Sequence, residues 1–166
     1  MARCIPSPEH ATSDSKAELR LLAAFAAELG DDYTVLHSVA WVSKPGRTGP
    51  RDGEVDFLIC HPRRGVLVVE VKGGTISADY RARKWTSTNT FGRTFEIKNP
   101  LEQAKKGKYG LLEKLNESPA WQKLGIRWFN LGHAVFLPEV GNADRLSGPD
   151  APRELLGDER DIGGLT

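Results

Sequence analysis

Two apolar runs separated by a short turn occupy residues 53–74, which read GEVDFLICHPRRGVLVVEVKGG. The runs at 54–60 and 66–72 are rich in β-branched and aromatic side chains, which predicts two strands. The connection between them has five residues and contains Pro and Gly, so the strands are expected to form a hairpin. Pairing Cys60 with Val66 across the turn would set its register. Both faces are apolar, as is typical of strands in the middle of a buried sheet. One face is expected to carry Val55, Phe57 and Ile59.

Charged side chains stand at one end of this predicted hairpin: Glu54, Asp56, Glu70 and Lys72. The register places Asp56 opposite Glu70 and Glu54 opposite Lys72. Directly opposed Cβ atoms are about 5 Å apart, a separation at which like charges destabilise a sheet. A divalent cation between Asp56 and Glu70 would remove that repulsion, and their oxygen ligands suit Mg²⁺ or Mn²⁺. The alternatives are a structural ion-pair network, or a one-residue shift of register that moves Asp56 to the other face.

The remaining chain supplies two helices and several shorter strands. An apolar stripe with helical spacing predicts a helix at 17–29, and Asn99 followed by Pro100 predicts the start of a second, which runs to about Asn116. Residues 44–53, with Pro, three Gly and three basic side chains, predict a mobile loop. Further strands are predicted at 33–42, 75–77, 84–87, 94–97 and 132–138. That order indicates a mixed sheet flanked by helices, in an α/β or α+β fold.

Length and composition limit the class of protein. The chain has 166 residues, which is one domain by size, and a formal net charge of +1. We expect a flexible lead-in at 1–14, one domain at 15–140, and a tail or the start of a linker to a further domain at 141–166. Two cysteines at this spacing support neither a disulfide framework nor a zinc site. Without an apolar run of membrane-spanning length or a signal sequence, we expect a cytoplasmic protein with no membrane partner.

Together these residues resemble a known family. Asp56, followed by Glu70-Val71-Lys72 at the end of the next strand, resembles the D…ExK core of the PD-(D/E)XK nuclease superfamily. The longer run from Gly53 to Gly74, with Asn-Pro-Leu-Glu-Gln-Ala-Lys downstream at 99–105, resembles the nuclease-related domain, NERD, over about residues 15–140. The resemblance implies an α/β restriction-endonuclease-like core, with a central mixed sheet, helices on both faces and an active site at the open end of the hairpin.

The resemblance also implies roles for individual residues. Asp56 and Glu70 would ligate Mg²⁺ or Mn²⁺ with the backbone carbonyl of Val71, and Lys72 would position or activate the attacking water. Gln103 would orient the phosphate or the water, although Gly107 stands where some relatives carry Tyr.

A carboxylate on the first helix is a further candidate for this site. Glu18 occupies a helical position at which superfamily members often place a carboxylate near the metal. Ser15-Lys16-Ala17-Glu18 also fits a capping box, in which Glu18 would only bond the Ser15 N–H. The two interpretations remain open from the sequence.

These expectations amount to a magnesium-dependent nuclease acting on DNA. Basic side chains would contact the DNA backbone with little sequence specificity; the candidates are Arg51, Lys84, Lys105 and Lys106. The family also suggests a fused or partner helicase and a part in DNA repair. The alternative is a catalytically inactive module of the same fold that binds DNA or a protein partner.

Overall fold

The computed structural model describes residues 1–46, 49–126 and 128–165, and excludes the side chains of 43–46 and 49–51. Its strands are β1 (Arg3–Ile5), β2 (Thr34–Gly46), β3 (Gly49–His61), β4 (Gly65–Val71), β5 (Thr75–Asp79), β6 (Lys84–Thr88), β7 (Thr94–Ile97), β8 (Leu131–Leu137) and β9 (Leu156–Asp158). Its α-helices are α1 (Lys16–Glu28), α2 (Pro100–Glu117) and α3 (Pro119–Lys123). The predicted α/β class with a central mixed sheet is confirmed.

A six-stranded sheet in the order β1-β2-β3-β4-β8-β9 forms the centre of the fold. The β2–β3 and β3–β4 pairs are antiparallel, whereas β1–β2, β4–β8 and β8–β9 are parallel. Cys60 pairs with Val66, and the ladder continues to Phe57 opposite Val69. The predicted register is therefore confirmed, and its continuation by one residue places Asp56 opposite Glu70.

The expected alternation of side chains fails at one point in β3. Phe57 and Ile59 share the face that packs with α1, but Val55, predicted on the same face, belongs to the cluster on the opposite face with Leu58 and Val68. In the neighbouring strand, Ser38 has φ 55°, and the β2–β3 ladder skips the pair of Ser38 and Asp56. This left-handed residue twists both strands between two regular stretches, so the period of two is interrupted there.

Helices cover both faces of the main sheet. On one face, α1 buries Leu21, Leu22 and Phe25 against Phe57 and its neighbours. On the other, α2 packs Leu111 with the Val55 cluster. The predicted start of α2 is confirmed, because the Asn99 side chain accepts hydrogen bonds from the first-turn backbone and Pro100 follows it.

A separate three-stranded antiparallel sheet, β5-β6-β7, follows β4 directly. One of its faces buries Ile76 and Trp85 against Leu101 of α2 and Val135 of β8. The small sheet therefore stands beside the N-terminal end of α2, next to the edge of the main sheet at which β4 ends.

Three predicted segments are more regular than the sequence suggested. The mobile loop predicted at 44–53 is wrong for the described residues, because β2 continues to Gly46 and β3 begins at Gly49. The lead-in at 1–14 contains β1, and the expected tail from 141 contributes β9 to the main sheet. The buried Asp158 of β9 accepts hydrogen bonds from the Arg153 and Arg160 side chains and from the Ala143 N–H. Side-chain bonding by Arg160 is the main reason that the pKa of Asp158 falls to about 2.

Candidate active site

The three central residues of the sequence pattern meet where β3 and β4 end. The backbone N–H of Val71 donates to Asp56 Oδ2 over 2.7 Å. Lys72 Nζ donates to Glu70 Oε1 over 2.5 Å. Glu70 is 7% exposed, whereas the side chain of Lys72 is 23% exposed, so a buried carboxylate is paired with an ammonium that solvent partly reaches. The structure therefore brings together the carboxylates and the ammonium that the sequence placed at this edge.

Asp56 carries the most informative electrostatic signal of the site. Burial, followed by the nearby negative charge of Glu70, raises the pKa of Asp56 to about 6. The Val71 N–H and the Lys72 ammonium act in the opposite direction, and Glu18 adds a further raising contribution. The Val71 N–H and Lys72 thus do not fully offset the effects of burial and of the nearby carboxylates on Asp56. Raised carboxylate pKa values of this kind are common at functional sites.

The donor set fits a magnesium-like cation. Within residues 1–46, 49–126 and 128–165, no three His, Cys, Asp or Glu side chains form a ready cluster around a cation. Mg²⁺ commonly uses one or two protein carboxylates and keeps several waters, so Asp56 and Glu70 are enough for it. Hydrogen bonds among the described residues use Asp56 Oδ2 and Glu70 Oε1, which leaves the second oxygen of each without a described protein donor.

Glu54 does not form the contact that the register suggested. Lys72 was expected opposite Glu54, but its ammonium binds Glu70 instead. Because the alternation of β3 is interrupted, the residues before Asp56 point to the opposite faces of the sheet from those predicted. Glu54 therefore does not meet Lys72. Glu54 is exposed and, together with Glu70, lines a cavity between the sheet and α2.

The Glu18 side chain makes contacts that the capping interpretation did not include. Ser15 does cap α1, because its hydroxyl accepts the Glu18 N–H over 3.3 Å. The Glu18 carboxylate, however, does not return to the Ser15 N–H, which donates to Ser13 Oγ. Glu18 Oε2 instead accepts from Ser13 Oγ and contacts His37 Nε2, each over 3.0 Å. Only half of the predicted capping box is therefore present.

His37 is the neighbouring residue that the sequence did not single out. Its side chain is 1% exposed, and its ring stacks on Phe57 with centroids 4.8 Å apart. Its place opposite Phe57 in the β2–β3 ladder puts it next to Asp56 along the sheet. The sequence alone does not place His37 here. Its position next to Asp56 depends on the pairing of β2 with β3, and its contact with Glu18 joins β2 to α1.

Replacing Glu18 with Gln distinguishes a helix cap from a residue of the site. Gln retains an oxygen that can bond Ser13 and His37, but it removes negative charge near Asp56. We expect Mn²⁺ affinity, measured by calorimetry, to fall several-fold, with a smaller loss of thermal stability. The control is Ser15→Ala, which removes the cap at a cost of about 1 kcal/mol and should leave Mn²⁺ affinity unchanged. If the Mn²⁺ affinity of Glu18→Gln is unchanged, Glu18 has only a structural role.

Helix α2 closes the other side of the site. Gln103, half-buried in its first turn, lines a cavity of about 450 Å³ together with Glu70 and Lys106. A Cβ on Gly107 would lie 2.5 Å from Val55 Cγ1, so the helix approaches the sheet too closely for a larger residue. This contact explains why Tyr does not occupy that position here. Tyr109 is 55% exposed, although it also reaches the wall of the cavity.

Two of the four predicted nucleic-acid contacts lie on α2. Lys106 is exposed and lines the cavity, and the preceding residue, Lys105, is exposed as well. Lys84 lies on the small sheet, where it forms an ion pair with Glu96 at 3.2 Å. The side chain of Arg51 falls outside the described part of the chain.

Comparison with models of protein families gives a match over most of the chain. The family model of the nuclease-related domain, NERD, matches residues 13–137. The chain belongs to the NERD family. Searches of curated proteins and of solved structures return no significant match. The NERD match covers both helices that flank the main sheet and every residue of the candidate site, and the mixed sheet agrees with a restriction-endonuclease-like fold. None of the described helices of this NERD chain is long and apolar enough to cross a membrane.

Proposed function

We propose that this NERD chain hydrolyses DNA phosphodiester bonds with Mg²⁺ or Mn²⁺. The observation that carries the proposal is the arrangement of Asp56, Glu70 and Lys72 at one sheet edge. Two carboxylates held close together inside the protein, with a single ammonium, favour a divalent cation. Family membership supports a nuclease-related activity of the same kind.

Each residue then has a defined task. Asp56 and Glu70, with the Val71 carbonyl, would hold the cation, which supplies Lewis-acid stabilisation of the charge that develops on phosphate oxygens. Lys72 would orient the attacking water and stabilise negative charge near it. Gln103 lines the cavity beside Glu70 from α2 and would fix the phosphate or the water by hydrogen bonding. The Val71 N–H keeps the Asp56 carboxylate in place through its 2.7 Å bond.

The direct test is incubation of the purified protein with labelled single-stranded, duplex and plasmid DNA. We expect cleavage with Mg²⁺ or Mn²⁺ and none with EDTA, and a parallel RNA substrate establishes which nucleic acid is cut. Cleavage that continues in EDTA would contradict the assignment. The measurement is product formation on a denaturing gel over time.

An inactive module of the same fold is the second candidate. It is favoured by the Lys72–Glu70 bond, which already satisfies one carboxylate, and by the lack of a three-ligand cluster among the described residues. This alternative predicts DNA binding without turnover and no heat of Mn²⁺ binding in calorimetry. Metal-dependent cleavage that is lost in Glu70→Gln would exclude it.

A further inference from the structure

The turn between β6 and β7 exposes an aromatic side chain at its tip. Phe91 is 87% exposed, and Phe95, four residues later in β7, is 54% exposed. The turn that carries Phe91 is well defined, because Asn89 Oδ1 accepts the N–H groups of Phe91 and Arg93, each over 3.0 Å. A large apolar side chain held in solvent by an ordered turn suggests a binding role.

This aromatic tip lies at the active-site end of the small sheet. Thr88, the last residue of β6, pairs with Thr75, which follows Lys72 by three residues. The Ser87 hydroxyl donates to the Gly73 carbonyl over 2.8 Å, so β6 ends beside the segment that leaves the site. Phe91 is three residues beyond Thr88 and thus within about 10 Å of it.

Phe95 lies in β7 just after the turn that carries Phe91. It pairs with Ser87 in the β6–β7 ladder and shares a face with Trp85 and Ile97, since strand residues alternate. Trp85 is buried on that face, whereas Phe95 extends past the covered part of the sheet and stays half exposed. The two phenylalanines thus follow one another along the hairpin, near the edge where Lys72 stands.

The charge of the small sheet complements a phosphate backbone. Residues 75–98 contain five basic and two acidic residues, a net charge of +3, whereas the whole chain has +1. One acidic residue, Glu96, is paired with Lys84, and the other, Asp79, accepts the Arg81 and Ala82 backbone N–H groups. Of these basic residues, the exposed Arg93 lies in the β6–β7 turn itself, whereas Arg81, Arg83 and Lys84 lie at the opposite end of β6. A basic side chain next to exposed aromatic rings is typical of a surface for single-stranded nucleic acid.

We propose that the β6–β7 hairpin binds unpaired nucleotides of single-stranded DNA, with bases stacking on Phe91 and Phe95 and a phosphate contacting Arg93. The inference rests on the proposed function for the identity of the ligand, and it adds a preference for unpaired strands close to the cleavage site. Duplex DNA keeps its bases stacked inside the helix, so it offers no free base face to these rings. The ordered turn holds Phe91 in position before binding, which limits the entropy lost on association.

The test measures DNA binding without turnover, in EDTA, by fluorescence anisotropy of a labelled 15-nucleotide thymidine strand and of a blunt 15-base-pair duplex. We expect Phe91→Ala to weaken binding of the single strand about tenfold and of the duplex less than twofold. Phe91→Trp should preserve single-strand affinity, and Phe91→Leu should not, because Leu is apolar but has no ring. Equal losses for both DNAs, unchanged affinity in Phe91→Ala, or full affinity in Phe91→Leu would overturn the proposal.

A matched control is available at the other end of the main sheet. Trp128 is 78% exposed and precedes Leu131, which pairs with Val66 at the end of β4 away from Glu70. Trp128→Ala should leave binding of both DNAs unchanged, and an equal loss there would attribute the Phe91 effect to exposed aromatics in general. Because all these positions are exposed, melting temperatures are expected to match the wild type.

The same measurement separates this inference from the proposed function. Phe91-dependent binding in a protein that cleaves nothing would support the hairpin and contradict the nuclease. Metal-dependent cleavage with no contribution of Phe91 to binding would do the reverse, and it would leave the hairpin as a surface for a protein partner.

Discussion

Glu70→Gln and Lys72→Ala are each expected to lower the rate of DNA cleavage by about 100-fold or more. Glu70→Gln replaces a carboxylate at the cation site with a neutral amide and removes the acceptor of the Lys72 ion pair. Lys72→Ala removes the ammonium group, whose positive charge offsets the two carboxylates and which would orient the attacking water. The measurement is the initial rate of cleavage of a labelled strand at saturating Mg²⁺.

The controls for these variants are equally charged but distant side chains. Glu159→Gln removes a surface partner of Arg20, and Lys123→Ala changes an exposed residue of α3. Both should cleave at the wild-type rate. Circular dichroism should show that all four variants are folded. A folded Lys72→Ala or Glu70→Gln protein that cleaves at the wild-type rate would contradict the assigned site.

Asp56→Asn is expected to stabilise the metal-free protein at pH 8 by about 2–3 kcal/mol while it abolishes metal-dependent cleavage. Burial and the charge of Glu70 raise the pKa of Asp56 to about 6, from an ordinary value of 3.8. The folded state therefore binds this proton more tightly than the unfolded state does. Ionising Asp56 as the pH rises from about 4 to 6 costs stability, and Asn avoids that cost because it stays neutral.

The stability difference between Asp56→Asn and wild type should depend on pH. Below about pH 4 Asp56 is protonated in both states, so the stability difference between wild type and Asp56→Asn should disappear. Above pH 6 the difference should reach its full value. The Asn side-chain oxygen can still accept the Val71 N–H, so the variant keeps that bond. The measurement is urea unfolding between pH 4 and pH 8, with the exposed Asp31→Asn as a control that should show no change.

Added Mn²⁺ should reverse the order of stability. A ligand that binds only the folded state stabilises it in proportion to the logarithm of its concentration above Kd. Wild type should therefore gain stability with Mn²⁺, whereas Asp56→Asn should not. An Asp56→Asn protein that is less stable than wild type at pH 8 without metal would show that the carboxylate is structural.

The sequence predicted the β3–β4 hairpin well because its information is local. The apolar pattern and the turn length together set the pairing of Cys60 with Val66, and Glu70 and Lys72 followed from the strand period. Asn99 and Pro100 predicted the start of α2 for a similar reason, since capping depends on neighbouring residues in the chain.

Features that depend on distant contacts were not predicted. The contact between Glu18 and His37 joins α1 to β2, so no local pattern indicates it. Ser38 adopts a positive φ that its residue type does not require, and Val55 consequently packs on the unexpected face. The short strand β9 is stabilised by its pairing with β8 and by the arginines around Asp158. Its own sequence contains Gly and has low strand propensity, so it was not predicted.

The central claim is that Asp56 and Glu70 form a divalent-cation site. Its most direct measurement is the anomalous difference map of a crystal of this protein soaked in Mn²⁺ at pH 8, above the pKa of Asp56. We expect a Mn²⁺ peak within ligand distance of both carboxylates, and no such peak in crystals of Asp56→Asn. A map without density between Asp56 and Glu70, from crystals of a protein that cleaves DNA with Mn²⁺, would contradict it.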